Sequence, residues 1–496
     1  LQRGKTIIIK NQFMKYFIIL LLLFSFNSLA QKQSNVWYFG DDGAGLDFNN
    51  ECNPIVLTNG HMNGFEGCAA ISDKNTGEFL FSTNSFKVWN RNQDTMPNSL
   101  LIPGGSTISQ VMILQKPGFN SLYYIITSEI QGGLIGTPQG YKFHMVDMNL
   151  NGGLGGILFK DSLLCPPPVT EKITAIPHAN GTDVWLIGHK YNSDEFVSYL
   201  VSASGINTNP IVSQIGKYNG DISSGDAIGE LKASPDGTKI AAVTLSQPNI
   251  ELFDFDNTTG QLTNLITLPE NGAYNPAAGG GSGLYGVGFS SNNSMLYVTG
   301  WVNNFLGVEG KIIQYNISSN DSATINNSRV NIFTSTQSSF YSLRLAPNKK
   351  IYVGHHYSNA NGGHLGVIHD PDSVGLNCNY VDLGLYLNGK ESGWGLNSVM
   401  DYGYYCSHSV VADKLQGKSM LKVYPNPFTS QICLTFSEEQ KNATIIISNS
   451  LGQTVKTFHC SGKKLLLETS DINDGVYFIQ MINDKNELIH HKIIKG

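Results

Sequence analysis

The sequence predicts an all-β protein. Three observations carry that expectation: few charges, many turn formers, and short apolar runs that recur at a fixed interval. Charged residues make up 14% of the 496, against the roughly 25% usual for soluble domains. Glycine is abundant at 53 residues, and Asn, Ser and Thr are frequent. Helical bundles need Glu, Lys, Ala and Leu in bulk, so this composition argues against them. Hydrophobic residues at 41% and aromatics at 10% supply real cores and exclude a disordered chain. A chain of this length is expected to hold several domains.

The front end reads as an export signal. Residues 1–13 look like upstream translation, with Met14 as the start. Met14-Lys15 is a short positive region, and Tyr16 to Phe24 is apolar but too short to span a bilayer. Ser28-Leu29-Ala30 then puts a small residue before a cut that leaves Gln31 first. Residues 14–30 are therefore read as a secretory signal peptide. No later run is long and apolar enough for a transmembrane segment. The formal charge is −6; without Arg3, Lys5, Lys10 and Lys15, the only charges of residues 1–30, the remainder stands at −10. Nucleic acid is thus not expected as a partner.

Export permits disulfides. Proximity in sequence suggests Cys52–Cys68, Cys378–Cys406 and Cys433–Cys460, with Cys165 left over. Buried free thiols are the alternative reading. No CxxC spacing supports a zinc site.

The central evidence is a repeat. Four segments share a strand, a polar turn and a second apolar strand: residues 173–187, 231–243, 287–298 and 343–353. Their turns end at Gly181, Gly237, Asn293 and Lys349, and the interval from each to the next is identical. Pro at the second turn position presets φ, and Gly or Asn supplies the left-handed position of a hairpin. Residues 69–81 and 111–126 fit the same scheme less regularly. Further strands follow most turns, so each unit holds three or four. Such a repeat marks a β-propeller, expected over residues 31–406. Six units are countable. A seventh closes from both termini, with Val36–Phe39 and Leu46–Phe48 as outer strands and Trp394–Met400 as the inner one. Seven blades are favoured, with six or eight as alternatives. The segment Leu231 to Val243 resembles the blade core of WD-type and related bacterial propellers.

After Cys406 the text changes. Residues 407–419 read as a linker. Alternating strands with Gly turns over 420–496 predict a small Ig-like β-sandwich. Pro425-Asn426-Pro427, Leu451-Gly452-Gln453, Gly475-Val476-Tyr477 and a basic apolar tail with Lys492 and Lys495 occur in that order. This set resembles the type A C-terminal sorting domain of the Bacteroidota type IX secretion system. The resemblance implies the type IX secretion machinery as a partner, and delivery through the periplasm to the cell surface or the medium. Phe39-Gly40, Glu66-Gly67-Cys68, Val88-Trp89-Asn90 and Phe253-Asp254-Phe255-Asp256 further resemble a family of secreted Bacteroidota propellers. That family carries no agreed activity across to this chain.

Catalytic signatures are missing: no HExxH, GxSxG, P-loop or EF-hand loop is present. Propellers build sites from several blades around a channel, so the residues to watch begin the inner strands. They are Glu66, Glu171, Glu230, Lys232, Tyr341, Arg344 and Trp394. Inter-blade salt bridging is the plainer role for them. Asp41-Asp42-Gly43 and Asp254 to Asn257 carry oxygen donors that suit Ca²⁺, but tight Asx turns explain them and are preferred. No other cofactor or metal is expected. The strand tryptophans Trp89, Trp185, Trp301 and Trp394 are read first as core, with sugar stacking as the alternative.

The functional expectation is an exported surface or secreted propeller that binds a protein or glycan. An extracellular hydrolase or lyase on glycans or lactones is one alternative. A structural component of an adhesive or gliding surface is the other.

Overall fold

A computed structural model gives the fold. It describes residues 32–40, 42–50, 53–101, 110–129, 138–220, 225–270, 283–304, 307–357, 363–400, 421–449, 454–482 and 488–495. The signal-peptide reading of residues 14–30 lies outside these. Two compact units divide at Cys406–Ser407.

The first unit is a propeller of seven antiparallel sheets. Blade 1 is three-stranded (Val36–Phe39, Ala44–Asp47, Ile55–Leu57), as is blade 2, which starts at Ala69–Ser72. Blades 3 to 7 have inner strands Val111–Gln115, Val169–Pro177, Leu231–Ala233, Gly283–Phe289 and Ser338–Leu345. Seven blades is thus the count. The repeated turns sit between the first and second strands of blades 4 to 7. Their end residues Gly181, Gly237, Asn293 and Lys349 all have positive φ, between 63° and 74°. The constant interval in the sequence is the spacing of these hairpins.

Cores form between neighbouring blades because each sheet presents apolar residues on both faces. Trp37, Phe48 and Leu46 of blade 1 pack with Tyr352, Leu365 and Val367 of blade 7. This contact closes the ring.

The expected inner strand at Trp394–Met400 is instead a strap. It forms no regular ladder, and its bonds go to the chain just before and within blade 2, and to the inner strands of blades 3 and 7. Trp394 N–H donates to the Phe65 carbonyl at 2.7 Å, and Ser398 N–H to that of Cys68 at 2.8 Å. Ser342 N–H of blade 7 donates to the Trp394 carbonyl at 3.1 Å. Asn397, fully buried, accepts from Ala70 N–H at 2.5 Å, and Val399 bridges in parallel to Ile113. The crossing is so close that a Cβ on Gly395 would lie 1.6 Å from the Glu66 carbonyl oxygen. Only glycine fits there.

Among the described residues, the second unit has five strands in one sheet. A long hairpin, Gln431–Asn449 with Thr454–Glu468, carries Leu421–Tyr424 on one half and Gly475–Ile482 on the other, followed by Leu488–Lys495. Register shifts between Thr435 and Ala443 divide the halves. Ile432 and Leu434 of one half share a single core with Ile445, Ile447, Ile479 and Ile493 of the other.

The proposed Cys433–Cys460 disulfide is not formed; both are buried free thiols. Cys433 lies opposite Leu466 and Cys460 opposite Ala443. Six residues of extended chain separate Leu466 from Cys460, about 20 Å, where a disulfide needs Cα atoms within about 7 Å. The partners proposed for the other two bridges, Cys52 and Cys406, lie outside the described residues. Cys68 and Cys378 are buried thiols, as is Cys165.

Candidate functional site

Of the seven singled-out residues, Glu171, Lys232, Tyr341 and Arg344 lie on inner strands of the propeller's ring, Glu66 and Glu230 just before theirs, and Trp394 on the strap. Neighbouring strands are stitched at this level. Glu171 N–H donates to the Ala227 carbonyl at 3.0 Å, and Glu230 N–H to that of Tyr285 at 2.9 Å.

Glu230 is the hub. One of its oxygens accepts from Ser342 Oγ at 2.6 Å and pairs with Lys232 Nζ at 3.1 Å. The other accepts from Val287 N–H at 3.1 Å. Three blades therefore meet on one buried carboxylate. Glu66 accepts a hydrogen bond from the Tyr285 hydroxyl. Burial pushes the Glu66 carboxyl up to about 8; the Tyr285 hydrogen bond opposes this and the nearby Glu230 adds to it. Glu66 is thus largely protonated at neutral pH. Burial also lowers the Lys232 ammonium, against the pull of Glu230 and with a push from Arg344. Arg344 donates to the Val399 carbonyl of the strap.

Aromatic side chains cap this ring. Trp394 stacks on Tyr341 with centroids 4.3 Å apart and planes at 13°. Tyr285 and Trp301 complete the cluster with Tyr341, at 5.4 and 4.9 Å. Phe65 leans on Trp394 at 5.0 Å. Tyr285, Trp301 and Tyr341 are buried, whereas Phe65 and Trp394 keep part of their surface exposed. The sequence reading missed Tyr285 and Phe65. Tyr285 had a signal: it precedes Tyr341 by the interval that separates one turn from the next. Phe65 had none beyond its place beside Glu66.

A second buried polar group lies beside the ring. Lys172 is fully buried and donates to the carbonyls of Asp226 and Ile228, both at 3.3 Å. Burial lowers its ammonium to about 8 despite Glu171, Glu251 and Asp226. His189 and His144 are buried, and burial lowers both imidazoles to about 3, with help from Lys172 for the first and from Lys142 and Lys160 for the second.

These groups give stability a pH dependence. From about pH 3 to 6.5 the unfolded chain holds two imidazole protons that the fold lacks, so they make stability rise with pH. From 4.5 to about 8 the fold holds a proton on Glu66 that the unfolded chain lacks, which opposes that rise. Below 4.5 the imidazoles act without that opposition, so the thermal unfolding midpoint is expected to climb between about pH 3 and 4.5. A midpoint flat across that interval would contradict the burial of His144 and His189 as neutral rings.

Two of the oxygen donors, Asp254 and Asp256, have close partners within the protein. Asp254 pairs with Lys239 at 2.7 Å and accepts from Asn264 at 2.7 Å, while Asp256 caps its own turn through Thr258 N–H at 2.9 Å. Asp41 lies outside the described residues. Among the described residues, no group of His, Cys, Asp and Glu has the arrangement of a metal site.

In the second unit the expected signal pieces converge. Asn426 Oδ1 accepts from Ile494 N–H at 2.8 Å, and Phe428 N–H donates to the Ile494 carbonyl at 2.9 Å. Pro425-Asn426-Pro427 therefore lies against the terminal strand. Lys495 Nζ donates to the Thr469 carbonyl at 2.9 Å. Tyr477, buried, donates to the Asn473 carbonyl at 2.8 Å, spanning the turn before Gly475. Lys492 pairs through its backbone with Phe478. Gly452 lies outside the described residues. The family model "Secretion system C-terminal sorting domain" matches residues 422–496.

The C-terminal unit is a sorting domain. Such a domain directs export by the type IX secretion system, so the propeller is delivered to the cell surface or the medium. No helix among the described residues is long and apolar enough to cross a membrane. No curated protein matches the chain.

Solved structures are similar at low identity. A candidate 6-phosphogluconolactonase from Bacteroides uniformis is 12% identical, covering 71% of this chain and 97% of its own, with a TM-score of 0.42. A quinonprotein alcohol dehydrogenase-like protein from Bacteroides thetaiotaomicron is 13% identical, covering 72% and 79%, with a TM-score of 0.37. The β-propeller domain of Cps50 (Swd1) from Myceliophteria thermophila is 12% identical, covering 65% and 92%, at 0.36.

Proposed function

We propose that the sorting domain exports a binding protein whose propeller takes its ligand at the Phe65–Trp394 mouth of the channel. One observation carries this reading. Two partly exposed aromatic rings sit over the buried cluster of Tyr341, Tyr285 and Trp301, beside Glu66, whose carboxyl burial pushes up. Ring faces held still by packing suit the apolar face of a sugar or an aromatic side chain, at little entropic cost on binding. A glycan or a surface protein of the extracellular space is the ligand class.

The test is a screen of the intact exported protein on glycan and surface-protein arrays. A specific hit is expected to weaken by about ten- to a hundredfold in Trp394→Ala, as for a central aromatic anchor. Binding unchanged by Trp394→Ala and by Phe65→Ala would exclude this mouth.

The protonated Glu66 also supports a second reading, a hydrolase or lyase with Glu66 as proton donor. Its hydrogen bond from Tyr285 and the packing around it favour binding over turnover. Cleavage of the captured ligand, lost in Glu66→Gln, would reverse that order.

A further inference from the structure

We propose that the export machinery reads the sorting domain through one face of its sheet, an apolar contact built by Val476, Phe478 and Ile494. The family match makes residues 422–496 the part of the chain that the type IX machinery engages. Which surface it engages is a question of the fold.

The first indication is the alternation along Gly475–Ile482. Tyr477, Ile479 and Met481 are buried in the core. The residues between them face away from that core, where an antiparallel sheet normally turns polar side chains to water. Gln480 follows this rule, whereas Val476 and Phe478 break it. The neighbouring strands repeat the departure. Ile493 is buried and Ile494 is exposed. Ile445 and Ile447 are buried, and Ile446 between them is half-buried.

Register gathers these side chains. Val476 stands opposite Ile494, and Phe478 lies between Ser448 on one side and Lys492 on the other. Val476, Phe478 and Ile494 are 38%, 41% and 39% exposed. The described side chains of this patch carry no charge, so the surface that fits it is apolar and uncharged. Aromatic residues are enriched and charges depleted at the centre of such contacts. The family signature residues have other work. Asn426 holds the Ile494 N–H, Tyr477 donates to the Asn473 carbonyl, and Lys495 Nζ donates to the Thr469 carbonyl. They build the domain, while the Val476 face adds little to its core.

Size decides between occupants. The three side chains expose on the order of 200 Å², against about 800 Å² per partner in a stable interface. A permanent pair of two copies is poorly served by so small a face. A brief contact with machinery that passes each substrate onward is well served by it.

The experiment follows export of the full chain in a host with a type IX system. Val476→Thr, Phe478→Thr and Ile494→Thr are combined, because Thr keeps strand propensity while removing apolar surface. The exported fraction is expected to fall at least about tenfold. Leu466→Thr, an exposed position on the other half of the sheet, is expected to leave it unchanged. Amide exchange at Ile445 and Ile479 in the purified full chain should match the original and so report a folded sorting domain. A photocrosslinker at the same place, Phe478→p-benzoylphenylalanine, keeps an aromatic ring there and reports contact even where the triple variant fails to fold. Its adduct is expected to contain a protein of the type IX system, and the same crosslinker at Leu466 is expected to give none. Undiminished export of the folded triple variant, an adduct made only of two copies of this chain, or no adduct at 478 from an exported chain would each overturn the proposal. No ligand enters these readouts, so their failure says nothing about the Phe65–Trp394 mouth.

Discussion

Removing residues 488–496 is expected to abolish export while leaving the propeller folded. The terminal strand Leu488–Lys495 pairs along its whole length with Gly475–Ile482, and Ile493 is fully buried in the sorting domain's core. It also holds Asn426 and Phe428 through Ile494. A small sandwich that loses a whole strand loses a face of its core and exposes a strand edge, so the domain should not fold. The propeller has its own blade-to-blade cores within a separate compact unit. Fractionation of a host with a type IX system should find the shortened protein inside the outer membrane and the full chain outside it. The thermal midpoint of the retained propeller should be unchanged. Undiminished export of the shortened chain would mean that the terminal strand is not part of the signal.

The largest expected loss from one side chain inside the propeller is at Trp37. Its indole is fully buried between blades 1 and 7, with Phe48 at 4.9 Å and Tyr352 at 5.8 Å. Its Nε1–H donates to the Ser34 carbonyl at 2.7 Å. Trp37→Ala leaves a cavity where the first and last blades join and orphans that carbonyl. The cost should be about 3–5 kcal/mol by the experience of large-to-small core changes. A ring gains its stability by closing, so the loss falls on the one contact that has no covalent continuity behind it. Urea unfolding of the Trp37→Ala protein should show a markedly lower midpoint. A loss below about 1 kcal/mol would mean that the strap alone seals the ring.

Much of the architecture was legible because its rules are local. Gly181, Gly237, Asn293 and Lys349 mark turns through backbone geometry that neighbouring residues dictate. The apolar runs around them mark strands for the same reason, and equal spacing turns strands into blades. The site was legible in part. Glu66, Glu230, Tyr341 and Trp394 were found by asking which residues begin inner strands, and Tyr285 could have been found from the same period. The disulfide reading failed at Cys433 and Cys460 because nearness in sequence is not nearness across a ladder. Register placed them far apart along the sheet.

The strap shows the same limit from the other side. Trp394–Met400 has the apolar pattern of a strand, and a strand was expected. What it became depends on Gly395 passing against Glu66 and on Asn397 meeting Ala70, contacts between opposite ends of the propeller's chain.

By itself, then, the sequence determined an all-β repeat protein with a C-terminal sorting signal, since turn chemistry, strand alternation and motif order are properties of adjacent residues. Only the tertiary structure decided how the ring is closed and what fills its channel. Glu66 meets Tyr285 across 219 positions, and Glu230 meets Ser342 across 112. The protonated state of Glu66 and the nearness of Lys232 to Arg344 arise from packing among such distant neighbours, and burial is a property of the packed molecule.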